Sequence, residues 1–126
     1  MNLILVFTTT ASLDLARHIA RTLVERHLVA CAHISEIESY YTWDGAVQND
    51  SEFSLMLKTT EPQYQAVETA IRALHTYELP AIHALPVSQA SLPYAQWVQS
   101  CCDASPPTPA TCRDETRSMG RDKRHP

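Results

Sequence analysis

A chain of 126 residues with 44% hydrophobic side chains, four cysteines and a formal charge of −4 fits one domain able to bury its own core. Residues 1–100 carry ten acidic against five basic side chains, which excludes a nucleic-acid surface, because phosphate binding needs a basic stripe. The start, Met1 to Phe7, has no positive n-region and too short an apolar run for a signal peptide or a membrane span. No cysteine spacing reads as a disulfide framework, so a reducing, cytoplasmic setting is expected.

Leu3-Ile4-Leu5-Val6-Phe7 is a continuous apolar run, which predicts a strand buried on both faces and central in its sheet. Ser12 then stands at an N-cap, with Asp14 in the first turn, where the helix dipole favours an anion. Ala16, Ile19, Ala20, Leu23 and Val24 recur at helical spacing, so an amphipathic helix is expected to end near Leu28.

A second strand opens at Val29 and continues to the aromatic run at Tyr40; its alternation breaks near Ser35, which predicts a bulge there. Asp44-Gly45 between two strand-like runs is the strongest local signal for a tight hairpin. Gly45 is one of only two glycines in the chain. The third strand returns from Val47 to Lys58 with Phe53, Leu55 and Leu57 on one face. Thr60-Glu61-Pro62-Gln63 has the form of a capping box, and Tyr64, Val67, Ile71 and Leu74 make the apolar stripe of a second helix. Pro80 forces an extended connection into a fourth strand, Ala81 to Leu85, stopped by Pro86. A last short helix starts at Ser91 and shows Tyr94, Trp97 and Val98 on one side. Residues 101–126 are rich in proline and mixed charge and read as a disordered tail, leaving 1–100 as the folded domain.

The order strand, helix, strand, strand, helix, strand predicts an α+β, ferredoxin-like βαββαβ fold. It is a split βαβ sandwich with both helices on one sheet face, a long hairpin between the second and third strands and a short C-terminal helix. Its sheet order is 4-1-3-2, which makes strands two and four the edges. Uncovered edges and a long hairpin invite pairing with further copies of the chain.

Six separated motifs then carry a resemblance. Ala30-Cys31, Ser39-Tyr40-Tyr41-Thr42-Trp43-Asp44-Gly45, Leu57-Lys58-Thr59-Thr60, Leu74-His75-Thr76-Tyr77-Glu78-Leu79-Pro80, Ala84-Leu85-Pro86-Val87 and Tyr94-Ala95-Gln96-Trp97 together resemble the CutA family of divalent-cation tolerance proteins. The resemblance spans roughly residues 3–99. It implies a homotrimer with edge strands paired across subunits, similar in architecture to PII-type signalling proteins, and a link to copper and other divalent ions. The chain departs from the family pattern at Ser35-Glu36-Ile37, where Pro-Gly is usual, and at Thr76, where proline is usual. It also has Thr8 at the end of the first strand, where some members carry a cysteine.

Cys31, His75 and Glu78 are the candidate metal ligands of the folded part, a set whose thiolate and imidazole suit Cu or Zn; the plainer reading of Cys31 is a small buried hydrophobe. His33 and His83 fall on opposite edge strands and can meet only across subunits. Lys58, beside a helix N-terminus, is expected to pair with a carboxylate such as Glu78 or to face an anion. Tyr41, Trp43 and Tyr77, with Lys58, are expected at an intersubunit cleft or interface, where aromatic residues are enriched. Cys101-Cys102, Cys112 and His125 would offer loose soft-metal donors. No cofactor is required by any motif, and Cu2+ or another divalent ion is the candidate ligand. An RNA-recognition module is excluded by the acidic third strand, Val47 to Phe53. An acylphosphatase-type hydrolase is excluded by the missing arginine between Thr8 and Ser12. With no catalytic triad order, phosphate loop or His-Glu-x-x-His present, the expected role is non-enzymatic.

Overall fold

The computed structural model describes residues 2–102. They form β1 (Leu3–Thr10), α1 (Leu13–Glu25), β2 (Cys31–Trp43), β3 (Ala46–Thr60), a 3-10 turn (Glu61–Gln63), α2 (Tyr64–Leu74), β4 (His83–Pro86) and α3 (Leu92–Cys101). The four strands pair antiparallel in the order β2-β3-β1-β4, the arrangement the sequence predicts. α1 and α2 cover one face through Ile4, Val6, Ile19, Leu23, Leu55, Leu57, Val67 and Ile71.

Four local expectations are corrected. α1 begins as expected, with Ser12 Oγ accepting from the Leu15 amide at 3.1 Å, but it ends at Glu25. His27 turns the chain at φ 59° and the Leu28 amide closes back on the Leu23 carbonyl at 3.0 Å, a left-handed stop usually left to glycine. No bulge forms near Ser35: β2 and β3 pair without interruption from Cys31↔Lys58 to Trp43↔Ala46. The alternation changes because the helix layer ends near Ile34, so what covers each face changes while the pairing does not. The capping box is absent, since Thr60 makes no side-chain cap bond, and Gln63 Nε2 donates instead to the Cys102 carbonyl at 2.7 Å. β4 runs His83–Pro86 rather than Ala81 to Leu85, and Pro86 is tolerated because the strand is an edge. The hairpin turn does form as expected, with Asp44 at φ 53° and Gly45 at φ 76°, both positive as a type I′ turn requires.

The second face of the sheet is covered at one end only. There α3 packs Trp97, Val98, Cys101 and Cys102 onto Leu3. Cys101 and Cys102, which the sequence assigns to the tail, are therefore buried helix-end residues at 1% and 3% exposure; the free Cys102 thiol packs there as a small apolar side chain. The remaining tail positions, including Cys112 and His125, lie outside the described residues. Further along this face Leu5, Phe7, His33 and Met56 are half-buried and Leu85 is 52% exposed. β1 is thus central, as its apolar run predicts, but within the subunit it is sealed on one side only.

Candidate functional site

Thr10↔Phe53 is the last pair between β1 and β3, and beyond it β2 and β3 continue alone as a two-stranded arm. On the face away from α1 and α2, strand alternation places Tyr41 and Trp43 of β2 with Asp50 and Glu52 of β3. The connection after α2 folds over the base of this arm. His75 fixes it: its Nε2 donates to the Thr9 carbonyl at 2.7 Å and its Nδ1 accepts from the Tyr77 amide at 3.1 Å. Those two partners specify a neutral imidazole with the proton on Nε2.

Tyr77, stacked obliquely on His75 at 4.8 Å between ring centroids, reaches into the arm and donates its hydroxyl to Glu52 Oε2 at 2.5 Å. Burial and the adjacent Glu52 carboxylate together push the Tyr77 phenol well above its ordinary value. Tyr41 donates in the same way to Asp50, and that bond, more than burial, raises its phenol too. Between the arm and the connection lies a cleft of about 580 Å³, walled by Tyr41, Trp43 and Tyr77 and bordered by Glu52 and Glu78; Tyr40, one position along β2, alternates to the opposite face. Neither lysine nor arginine lines it. Glu52 is only 8% exposed.

A second group forms at the α3 end of the same face. Cys31 stands opposite Lys58 in the β2–β3 register, and its Sγ lies 3.4 Å from His33 Nε2. Burial raises the Cys31 thiol, with the Lys58 ammonium pulling against it; burial and then Lys58 lower the His33 imidazole. Lys58 Nζ sits 5.3 Å above the Tyr94 ring, a cation–π placement, so the expected pairing with Glu78 is replaced by an aromatic contact.

Cys31, His75 and Glu78 therefore do not meet inside the subunit. Lys58, opposite Cys31, pairs with Leu5, whereas His75 is held at Thr9, four residues or about 13 Å further along β1. Among the described residues no three His, Cys, Asp or Glu side chains are close enough to hold a metal ion. His33 and His83 lie on the two edge strands, as the sequence predicts, and His83 stacks on Phe7 at 5.5 Å. Tyr41, Trp43 and Tyr77 converge on the cleft, while Lys58 does not. The residue sequence reasoning misses is Glu52. The signal was present: alternation that sends Phe53, Leu55 and Leu57 inward sends Glu52 to the other face, beneath Tyr77.

The chain matches, over residues 4–101, the family described as CutA1 divalent ion tolerance protein. Human Protein CutA is 38% identical over 99 residues, 78% of this chain and 55% of that protein. The chain thus spans little more than half the length of this animal relative. The divalent-cation tolerance protein CutA of Thermotoga maritima is 37% identical over 97 residues, 77% of this chain and 96% of that protein. Among solved structures, CutA from Xylella fastidiosa superposes with a TM-score of 0.80 at 33% identity, covering 82% of this chain and all of that one (100%). The Archaeoglobus fulgidus structure, described as a periplasmic divalent cation tolerance protein, gives 0.79 at 29% identity, covering 80% of this chain and 99% of that one.

Proposed function

The chain belongs to the CutA1 divalent ion tolerance protein family, and from that premise we propose that it acts in the response to divalent metal ions, copper first among them, as a non-enzymatic homotrimer. The observation that carries the assembly is the half-bare sheet. Leu5, Phe7 and Met56 are half-covered, Leu85 is open, and the arm carries Tyr41, Trp43 and Val47 at 42%, 43% and 74% exposure. A two-stranded arm is marginal in water by itself, and an apolar face of this kind marks an interaction surface. Further copies of the chain would cover the face and pair the free edges of β2 and β4.

For the metal, the subunit offers a pair of donors rather than a full set. Cys31 Sγ and His33 Nε2 have, at 3.4 Å, about the ~3.5 Å separation of a thiolate and an imidazole on one tetrahedral ion. They lie on an edge strand, where His83 of a neighbouring copy would supply a third donor suited to Cu or Zn. Lys58 opposes the added cation but favours the thiolate that would bind it. A cytoplasmic location belongs to the same proposal and is checked by fractionation, since the Archaeoglobus relative is described as periplasmic. A second reading, favoured by the aromatic cleft, is a trimer that senses a small molecule in the manner of PII-type proteins.

Sedimentation of the full chain should give about 42 kDa, three times 14.1 kDa; a monomer at micromolar concentration overturns the assembly. Calorimetric titration of metal-free protein with Cu(II) and Zn(II) should show binding that Cys31→Ala abolishes. Binding lost instead with Cys112→Ser assigns the metal to the tail. Truncation after Ser100 does not serve this purpose, because it removes the buried Cys101 and Cys102.

A further inference from the structure

We propose that residues 105–110 of the chain's own tail, Ser-Pro-Pro-Thr-Pro-Ala, dock as an extended polyproline segment in the groove between β4 and the start of α2. The groove holds about 970 Å³ and is lined by Ile4, Pro62, Tyr64, Ile82, Ala84 and Pro86. Ile4, Tyr64, Ile82 and Ala84 pack into the core on the helix side of the sheet, so the groove opens beside the helices, away from the face that further copies cover. Strand pairing at the β4 edge runs in the plane of the sheet and leaves this side open. The docking is therefore independent of both the assembly and the metal.

The tail leaves the body beside this groove. Gln63 Nε2 donates to the Cys102 carbonyl at 2.7 Å, and its chain neighbours Pro62 and Tyr64 both line the groove. Asp103 and Ala104 reach up to about 7 Å, which carries the chain from Cys102 past the 3-10 turn to the groove's mouth. The lengths then match. Six residues of polyproline at about 3.1 Å each span about 19 Å, and the β4 wall between Ile82 and Val87, six residues at about 3.3 Å, is about 20 Å long. The chemistry matches as well. Pro106, Pro107 and Pro109 carry no amide hydrogen, so their rings enter an apolar groove without leaving a donor unsatisfied. Their fixed φ means that little chain entropy is lost on docking, and aromatic-lined grooves recognise such segments on that basis. Tyr64 supplies the ring here, and Gln65, exposed at the rim, offers a side-chain amide to the segment's carbonyls.

The test compares the full chain with a full-length variant carrying Pro106→Ser, Pro107→Ser and Pro109→Ser, which leaves residues 2–102 unchanged. Nuclear Overhauser contacts between the Tyr64 ring and the tail prolines are expected in the parent chain. The amide resonances of Tyr64, Gln65, Ile82 and Ala84 should move in the variant, while that of Gly45, at the tip of the arm, stays. Prolines without contact to Tyr64, or groove resonances identical in the two chains, overturn the proposal. A synthetic peptide of residues 103–111 should bind the variant at least about threefold more tightly than the parent, because the tethered tail competes at an effective concentration in the millimolar range; equal affinity overturns the proposal as well. In samples mixed from labelled and unlabelled chains the contacts should stay within one chain. Contacts between chains would assign the groove to the interface between copies and overturn docking of a chain's own tail. Sedimentation of the same samples reads the assembly separately: a monomer whose Tyr64 meets its own prolines refutes the trimer and keeps this proposal.

Discussion

β3 is one strand in two different circumstances. From Phe53 to Lys58 it pairs with both β1 and β2, and its Leu55 and Leu57 are fully buried, as is Thr59 just beyond. From Ala46 to Glu52 it pairs with β2 alone, and every residue but Gln48 and Glu52 is exposed. The proximal half is stabilised by the chain's own helices. The distal half is geometrically regular but has almost nothing packed on it. Regular pairing and burial are therefore separable here, and the point of separation, at Glu52 and Phe53, is where the cleft lies.

Substitutions graded along that strand should show the difference. Leu55→Ala, in the proximal half, should cost about 2–5 kcal/mol by loss of apolar contact and creation of a cavity, read as a large fall in the denaturation midpoint. Next comes the body's alkaline limit. Burial lifts the Cys102 thiol from 9.0 to about 11, with the Thr59 hydroxyl pulling slightly the other way. A pKa raised on folding gives stability that is fully present below pH 9 and is lost as pH rises toward 11. The loss amounts to about 3 kcal/mol. Urea unfolding between pH 8 and 11 should show that slope, and Cys102→Ala should flatten it. At the junction, Tyr77→Phe removes the hydroxyl that satisfies buried Glu52 and should cost about 1–3 kcal/mol, with the loss shrinking in the double variant that adds Glu52→Gln. Smallest for the isolated subunit is Trp43→Ala in the arm, within about 0.5 kcal/mol as for other exposed sites. The same variant should raise the concentration at which the assembly dissociates; dilution resistance equal to that of the parent chain would falsify the interface role.

The body of the fold was legible because its signals are local and repeated. The apolar run of Leu3 to Phe7, the helical stripes and Asp44-Gly45 each specify an element by spacing alone, and the strand order follows from their sequence. The errors fall where long-range contacts override local chemistry. Gln63 reads as a cap partner for Thr60, yet it is drawn to the carbonyl of Cys102, 39 positions away. Cys101 and Cys102 read as tail because the sequence after them is polar, and nothing local says that Leu3 needs covering. In the cleft, the aromatic residues announced themselves by type, but Glu52 did not, because an acid among Asn49, Asp50 and Ser51 looks like solvated surface until its register is counted. Cys31, His75 and Glu78 were grouped by donor chemistry, which carries no information about the 13 Å or so of β1 that keeps them apart.

The register of β1 also bears on how the chain comes together in time. Its partners are Leu3↔Thr60 on one side and Ile4↔Pro86 on the other, so β1 is synthesised before both of its neighbours and waits for them. The β2–β3 arm, closed by a two-residue turn, has only local loops to close and can form early, whereas pairings of this sequence separation are slow. Until residue 60 exists, Leu3 to Phe7 is an apolar strand with two open edges, and until residue 86 one edge stays open to another chain. Slower synthesis through residues 60–86 lengthens the time for which that edge is open.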